Sequence, residues 1–281
     1  MRKSVDSGGS GKPCSGWARG AFTLLELLTV LAIFTMLIAI LIPSLRAARM
    51  QTKRVLCASN LRQLASAWPM YLDAHGGRFL KGINTNWNYG GKQGNGSAAF
   101  GSIPINPANP DVLSPPVVKP LNLYLNLDEV VYLGAEIFRC PADEGGGDVP
   151  TTHYDYKGTS YTTNLMLVGQ DRLQLRLFDP CRAVFKEVNK LLPTIAWHQL
   201  HGPGKLILMG DAGWLSTWDL GNFNRIAWHG KRTTHNVAFM DGHVEFVRIR
   251  KGLHVTSEYS VIPFKDLIYD VEACQKEVAG E

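Results

Sequence analysis

Phe22-Thr23-Leu24-Leu25-Glu26-Leu27-Leu28-Thr29-Val30-Leu31-Ala32-Ile33-Phe34-Thr35-Met36-Leu37-Ile38-Ala39-Ile40-Leu41-Ile42 is an unbroken apolar run with a single charge, Glu26. As a helix it spans ~31 Å, about one hydrocarbon core. A secretory signal has a shorter apolar core and a small-residue cleavage site after it. Here the chain runs on through Pro43-Ser44-Leu45 into polar helical sequence. The run therefore reads as a span that is kept, with Pro43 breaking the backbone ladder near its end.

The formal charge of +5 is concentrated ahead of the span. Arg2, Lys3, Lys12 and Arg19 face only Asp6 in the first 21 residues. The rest of the chain is close to neutral, with 25 basic and 23 acidic side chains. That balance excludes a strongly basic nucleic-acid face on the folded part. It also sets the topology: the basic leader stays cytoplasmic and the remainder lies outside.

Glu26 is the anomaly, because a carboxylate at the centre of a bilayer costs roughly 2.5–3.5 kcal/mol and less near the interface. A charge tolerated beside the headgroups is one reading. The other gives it a partner. An amine created by cutting before Phe22 would sit one helical turn away, on the same chain or on a neighbouring subunit.

The segment Arg19-Gly20-Ala21-Phe22-Thr23-Leu24-Leu25-Glu26-Leu27-Leu28 resembles the leader junction of type IV prepilins and type II secretion pseudopilins. The resemblance implies cleavage by a membrane prepilin peptidase, N-methylation of the new terminus, and assembly into a helical filament guided by the glutamate. Mapped here, Ala21 and Phe22 flank the processed bond, and Glu26 and Pro43 belong to the assembly helix. The family usually places Gly before the cut, whereas here Ala21 separates Gly20 from Phe22. Keeping the glutamate spacing selects the Ala21/Phe22 bond over Gly20/Ala21. The implied location is a bacterial inner membrane, single-pass, with the head in the periplasm or on an extracellular filament. The implied partners are other pilin subunits and the secretion or pilus platform.

Downstream, Cys57, Leu61, Leu64, Trp68 and Tyr71 form a narrow apolar stripe at helical spacing. Arg46, Arg49, Lys53, Arg54 and Arg62 occupy the other faces. Pro69 predicts an end or kink near Trp68. Residues 76–120 are rich in Gly and Pro and read as loops, with Trp87 and Tyr89 as exposed aromatics. A short helix is expected around Leu123–Leu127. Strands are expected at Ser160–Asn164, Lys205–Met209, Asn236–Met240 and His243–Arg248. Asp241-Gly242 between the last two predicts a hairpin with a type I′ turn. The terminal residues 273–281 read as frayed. The whole predicts an α+β, pilin-like fold: leader 1–21, transmembrane helix 22–45, helical spine 46–72, and a head over 73–281 with an antiparallel sheet.

The stretches Cys57-Ala58-Ser59-Asn60-Leu61-Arg62-Gln63-Leu64, Tyr71, Gly77-Arg78-Phe79, Phe138-Arg139-Cys140-Pro141-Ala142-Asp143, Ser160-Tyr161 and Asp241-Gly242-His243-Val244 are similar to a bacterial pseudopilin subgroup with a C-terminal H-x9-DG signature. The histidine position of that signature is Lys231 here, with His229 and His235 on either side.

No catalytic motif is evident, so the chain is expected not to be an enzyme. His198, His201, Asp211, His229, His235, Asp241 and His243 match no zinc-binding spacing, and histidines on a polar loop surface are the default. The five cysteines, Cys14, Cys57, Cys140, Cys181 and Cys274, contain no C-x-x-C pair. With Cys14 removed they allow up to two disulfides or separate buried thiols. Asp143, Glu144, Asp148 and Asp155 lie in a Gly-rich stretch able to wrap calcium, the one cofactor the sequence suggests. Two rival functions remain open here: a membrane-tethered enzyme or binding protein, such as a metal-dependent hydrolase, and a minor pilin with an adhesin or DNA-binding role.

Mass spectrometry of the membrane-extracted chain checks the processing expectation. The expected N-terminus is methylated Phe22, and an N-terminus at Met1 refutes it.

Overall fold

The computed structural model describes residues 23–80, 85–95, 118–146, 149–168, 182–192, 196–218 and 226–279. The element order begins with α1 (Leu24–Ala74) and α2 (Thr85–Asn88), followed by 3-10 helices at Pro120–Leu125 and Glu136–Phe138. Next come α3 (His153–Lys157), β1 (Tyr161–Thr163), α4 (Leu165–Val168), α5 (Arg182–Leu191) and a 3-10 turn at Trp197–Gln199. The chain finishes with β2 (Ile207–Asp211), α6 (Ala212–Trp218), β3 (Thr234–Phe239), β4 (Val244–Arg248) and α7 (Lys265–Ala279). Two compact units divide between Ala47 and Ala48, inside α1.

The first unit contains the apolar part of α1. It is the one helix among the described residues long and apolar enough to cross a membrane, with a window of mean hydropathy 2.7. Leu24, Leu31, Phe34, Leu41 and Leu45 are all exposed. The helix starts in a capping box. Thr23 Oγ1 accepts the Glu26 N–H at 3.2 Å, and Glu26 Oε2 accepts the Thr23 N–H at 2.9 Å. The Thr23 hydroxyl donates to the same oxygen at 2.9 Å. Within the span, Thr29, Thr35 and Ser44 donate their hydroxyls back to carbonyls of the helix itself. Every polar side chain of the run thus has a local partner, as a lipid environment demands.

The second unit is an α+β body. Its spine is the rest of α1, and the predicted stripe is the buried face: Cys57, Leu61, Leu64, Trp68 and Tyr71 are buried, together with Ala65, Ala67 and Leu72. Trp68 sits at the centre of an aromatic cluster with Tyr71, Phe79 and Tyr89. A buried side chain of this size contributes about 1.5–3 kcal/mol through apolar area alone. Pro69 does not end the helix, which runs on to Ala74. A proline removes one N–H and crowds the carbonyl four residues back, and the burial of Trp68, Tyr71 and Leu72 around it offsets that cost.

The four predicted strands form one antiparallel sheet in the order β1-β2-β3-β4. Tyr161 of β1 is opposite Asp211 of β2, and β3 pairs with β4 from Thr234↔Arg248 to Ala238↔Val244. The hairpin tip is not type I′. Asp241 has no positive φ, while Gly242 has φ 89°. Gly242 N–H bonds to Phe239 O, and Phe239 N–H to His243 O, both at 2.9 Å. That is a three-residue loop, a type I turn closed by a left-handed glycine. Two side-chain amides tie the spine to the body: Asn60 Nδ2 donates to Arg139 O and Asn236 Nδ2 to Arg54 O, both at 3.0 Å. The Arg54 guanidinium also lies 4.6 Å over the Phe246 ring.

Three further expectations change. The chain end does not fray at residue 273, because α7 continues to Ala279. Trp87 and Tyr89 are core residues, 5% and 0% exposed. The 3-10 helix at Pro120–Leu125 replaces the helix expected at Leu123–Leu127.

Lys119, just ahead of that turn, is fully buried. Its Nζ donates to Asn88 Oδ1 at 3.0 Å and to Trp87 O at 3.4 Å, with no carboxylate among these partners. Burial pulls the ammonium down to about 7. The unfolded value is about 10.4, so between the two the unfolded chain binds the extra proton and stability rises with pH. Lys119→Met is expected to raise Tm at pH 7 and to flatten the part of the rise from pH 7 to 9 that wild type owes to this group. Differential scanning calorimetry of both proteins across that range checks it.

Candidate metal centre

The described His, Cys and carboxylate donors converge at one place, and three separate segments build it. Cys57 comes from the buried face of α1. Cys140 follows the 3-10 helix Glu136–Phe138, in a loop fixed by Ser160 N–H on Phe138 O at 2.8 Å and by Asn60 on Arg139 O. His229 lies in the turn before β3. The Cys57 and Cys140 sulfurs and one His229 nitrogen lie within 4.8 Å of one another, all buried. Cys140 Sγ is 3.6 Å from His229 Nε2, and both thiols are free.

Behind the imidazole stands Asp211, at the end of β2. Its Oδ2 is 3.5 Å from His229 Nε2 and accepts the Asn236 N–H at 3.0 Å. Its Oδ1 accepts the Gly213 N–H at 3.1 Å and is 2.9 Å from His235 Nδ1. A carboxylate only accepts, so His235 carries its proton on Nδ1. His235 Nε2 in turn lies 2.9 Å from Thr217 Oγ1. Gly213 has to be glycine here, since a Cβ would fall on the His235 ring.

The electrostatics follow from this packing. Burial pushes Asp211 up, but His235, His229 and the Asn236 N–H outweigh it and hold its carboxyl below the usual range. Burial also acts to raise the Cys57 thiol, but hydrogen bonds from Cys140 and His229 bring it down to about 6. Cys140 moves the opposite way, raised by burial and by its neighbour Cys57. For His229, burial lowers and the Cys57 and Asp211 contacts raise, with a net upward shift.

Thiolate and imidazole together can act as a nucleophile, a redox couple or a soft-metal site. Cys57 is 0% and Cys140 1% exposed, so a substrate cannot reach these sulfurs in this conformation, which leaves the redox and metal chemistries.

Of the seven groups weighed from sequence, the structure brings Asp211, His229 and His235 together. His229 and His235 are 6% and 2% exposed, against the expected polar surface. His198, in the 3-10 turn Trp197–Gln199, and His201, just after it, are exposed. Asp241 and His243 pair with each other at the hairpin tip, 2.6 Å apart. The cysteine contribution was missed because Cys57 and Cys140 are far apart in sequence. The available signal was that each sits inside one of the short stretches carrying the resemblance.

The acidic residues considered for calcium are engaged by protein groups where they are described. Asp143 accepts four donors: Gly145 N–H, His153 N–H, Tyr154 N–H and the Ser160 hydroxyl, at 2.6 to 3.0 Å. Its carboxylate is saturated by the loop it organises. Asp155 is engaged by Lys92 Nζ at 2.6 Å and the Thr152 hydroxyl at 2.7 Å. Glu144 faces Lys53 at 3.6 Å, and Asp148 lies outside the described residues. Ala21 and Phe22 lie outside them too. Cys274 is in a disulfide.

No family model, curated protein or solved structure matches this chain.

Removing Asp211 strands His235 Nδ1–H and the Asn236 and Gly213 N–H groups. Asp211→Ala is expected to cost ~3–5 kcal/mol. Urea unfolding of the full chain in detergent, read by tryptophan fluorescence, measures it.

Proposed function

We propose that the chain is a structural, pilin-like subunit, cut before Phe22 by a prepilin peptidase, N-methylated, and assembled through its apolar helix. The filament is a type II secretion pseudopilus or a type IV pilus, built on an inner-membrane platform. In this reading the leader is cytoplasmic, the chain crosses the membrane once, and the head faces the periplasm or the outside. Its role is structural, not enzymatic.

The observation that carries the reading is the first half of α1: an apolar, fully exposed stretch that begins at a glutamate. Such a surface has to be covered by lipid, by copies of itself, or by both in turn. The α+β second unit, with a buried spine stripe, is compatible with a pilin head. The Cys274 disulfide fits a head outside the cytoplasm. Burial of Trp87 and Tyr89 removes the support those residues lent to an adhesive tip.

Glu26 has two distinguishable tasks. Within one chain it completes the capping box through Oε2. In a filament its charge pairs with the Phe22 amine of a neighbouring copy. Glu26→Gln keeps the cap, since glutamine also serves in a capping box, but removes the charge. Glu26→Ala removes both. Both variants are expected to be processed and both to fail in assembly, as scored by sheared-filament yield or in vivo cysteine crosslinking along the apolar helix. Normal filaments from Glu26→Gln would reduce the glutamate to a helix cap.

A further inference from the structure

We propose that Cys57, Cys140 and His229 hold a zinc ion, with Asp211 placed to complete the four donors, and that the ion locks the spine part of α1 to the Cys140 loop and the segment entering β3. This goes beyond the filament reading and does not depend on it.

The donor set selects the ion class. Two thiolates and an imidazole are the ligands of structural zinc sites, and hard cations such as calcium or magnesium do not use them. The spacing agrees. In a tetrahedral site with Zn–S near 2.3 Å and Zn–N near 2.0 Å, a sulfur and a nitrogen are separated by about 3.5 Å. Cys140 Sγ and His229 Nε2 are 3.6 Å apart, and Cys57 Sγ lies within 4.8 Å of both. Asp211 Oδ2 approaches the same nitrogen at 3.5 Å, held by the Asn236 N–H. Asp211 is outside the group of three mutually close donors. Because it meets Nε2, the nitrogen that faces the sulfurs, its place is that of a fourth ligand, reached by a small shift toward the ion.

His229 supplies a second, independent observation. Its side chain is 1% exposed, and its Nδ1 is buried with no hydrogen-bond partner. The other nitrogen meets the Cys140 thiol at 3.6 Å and Asp211 Oδ2 at 3.5 Å. Nε2 is thus the imidazole nitrogen turned toward the sulfurs and the carboxylate, and it is the one an ion among these groups would take.

The obvious competitor is a Cys57–Cys140 disulfide, in a chain that already carries one at Cys274. A disulfide would account for the two sulfurs but not for the imidazole set beside them with a carboxylate behind it. Zinc uses all of these groups. Binding releases the two thiol protons, and the thiolates cancel the ionic charge in the buried site.

The test uses the full chain, extracted from membranes in detergent without added metal. Elemental analysis is expected to give about one zinc per chain. Exchange with cobalt(II) is expected to produce intense tetrahedral d–d bands and thiolate-to-cobalt charge transfer. Cys57→Ser and His229→Ala lose the charge-transfer intensity and the zinc. In wild type, Cys57 and Cys140 resist alkylation until a chelator is added, and chelation lowers Tm. The wild-type spectrum and alkylation pattern decide the matter even where a variant fails to fold. A Cys57–Cys140 disulfide in peptide mapping overturns the proposal. So do two freely alkylated thiols with no zinc retained after dialysis against it.

Discussion

The structure depends on the burial of one face of α1. Between Cys57 and Leu72 that face enters the core of the second unit, and residues from β1, β3 and the Cys140 loop meet it. A helix carrying a single charge in its apolar half gains nothing from water there. The same helix must then turn amphipathic within a few turns. The change happens through residue placement rather than a break in the backbone, since α1 passes both Pro43 and Pro69. The stripe is only one or two residues wide, so each side chain on it is committed. Trp68 fills the aromatic cluster, and Cys57 faces the polar centre.

That polar centre is costly in isolation. A buried carboxylate is tolerable only when nearly all its lone pairs are used, and Asp211 uses them on two backbone amides and two imidazoles. Asp143 solves the same problem in its own loop, with four donors. The difference lies in the neighbours. The donors to Asp143 are amides and a hydroxyl with nothing left to offer. Around Asp211 the second circle holds His229 and two thiols, groups able to ligate a soft ion. One carboxylate organises a loop; the other sits behind a group of soft donors.

The sequence made the fold legible where patterns are local. The apolar span, the spine stripe and all four strands were readable, because each rests on a period of 3.6 or 2 within a few residues. Turn chemistry was half readable. Asp241-Gly242 does mark the hairpin, but dipeptide identity does not separate a two-residue from a three-residue loop, and Gly242 alone takes the left-handed conformation. α7 was not read at all, because residues 273–281 have the look of a frayed terminus and the apolar face carrying the buried Leu267 and Val271 was not weighed. The Cys57, Cys140 and His229 cluster was not readable, since its residues share no spacing. Cys57, Cys140 and His229 are brought together only by the register that sets Tyr161 opposite Asp211 and by the amides of Asn60 and Asn236. The acidic loop shows the converse: Asp143 and Asp155 are close in sequence, and backbone amides, Ser160 and Lys92 engage them.

Glu26 has a local role, shown by its hydrogen bonds to Thr23, beside the assembly role proposed for it. A capping box places the glutamate at the third helical position by necessity, so Thr23-Leu24-Leu25-Glu26 is explained by helix initiation alone. That explanation does not require the next residues to be apolar, nor the carboxylate to sit at the edge of a bilayer, where any weak acid carries a penalty. A serine or asparagine cap without a glutamate would start the helix nearly as well. Retaining a charge there has a cost in lipid that the cap does not offset. Under the filament reading proposed above, a second partner for Glu26, reached through its other oxygen, would offset that cost, and the amine of an adjacent copy has the right charge for it.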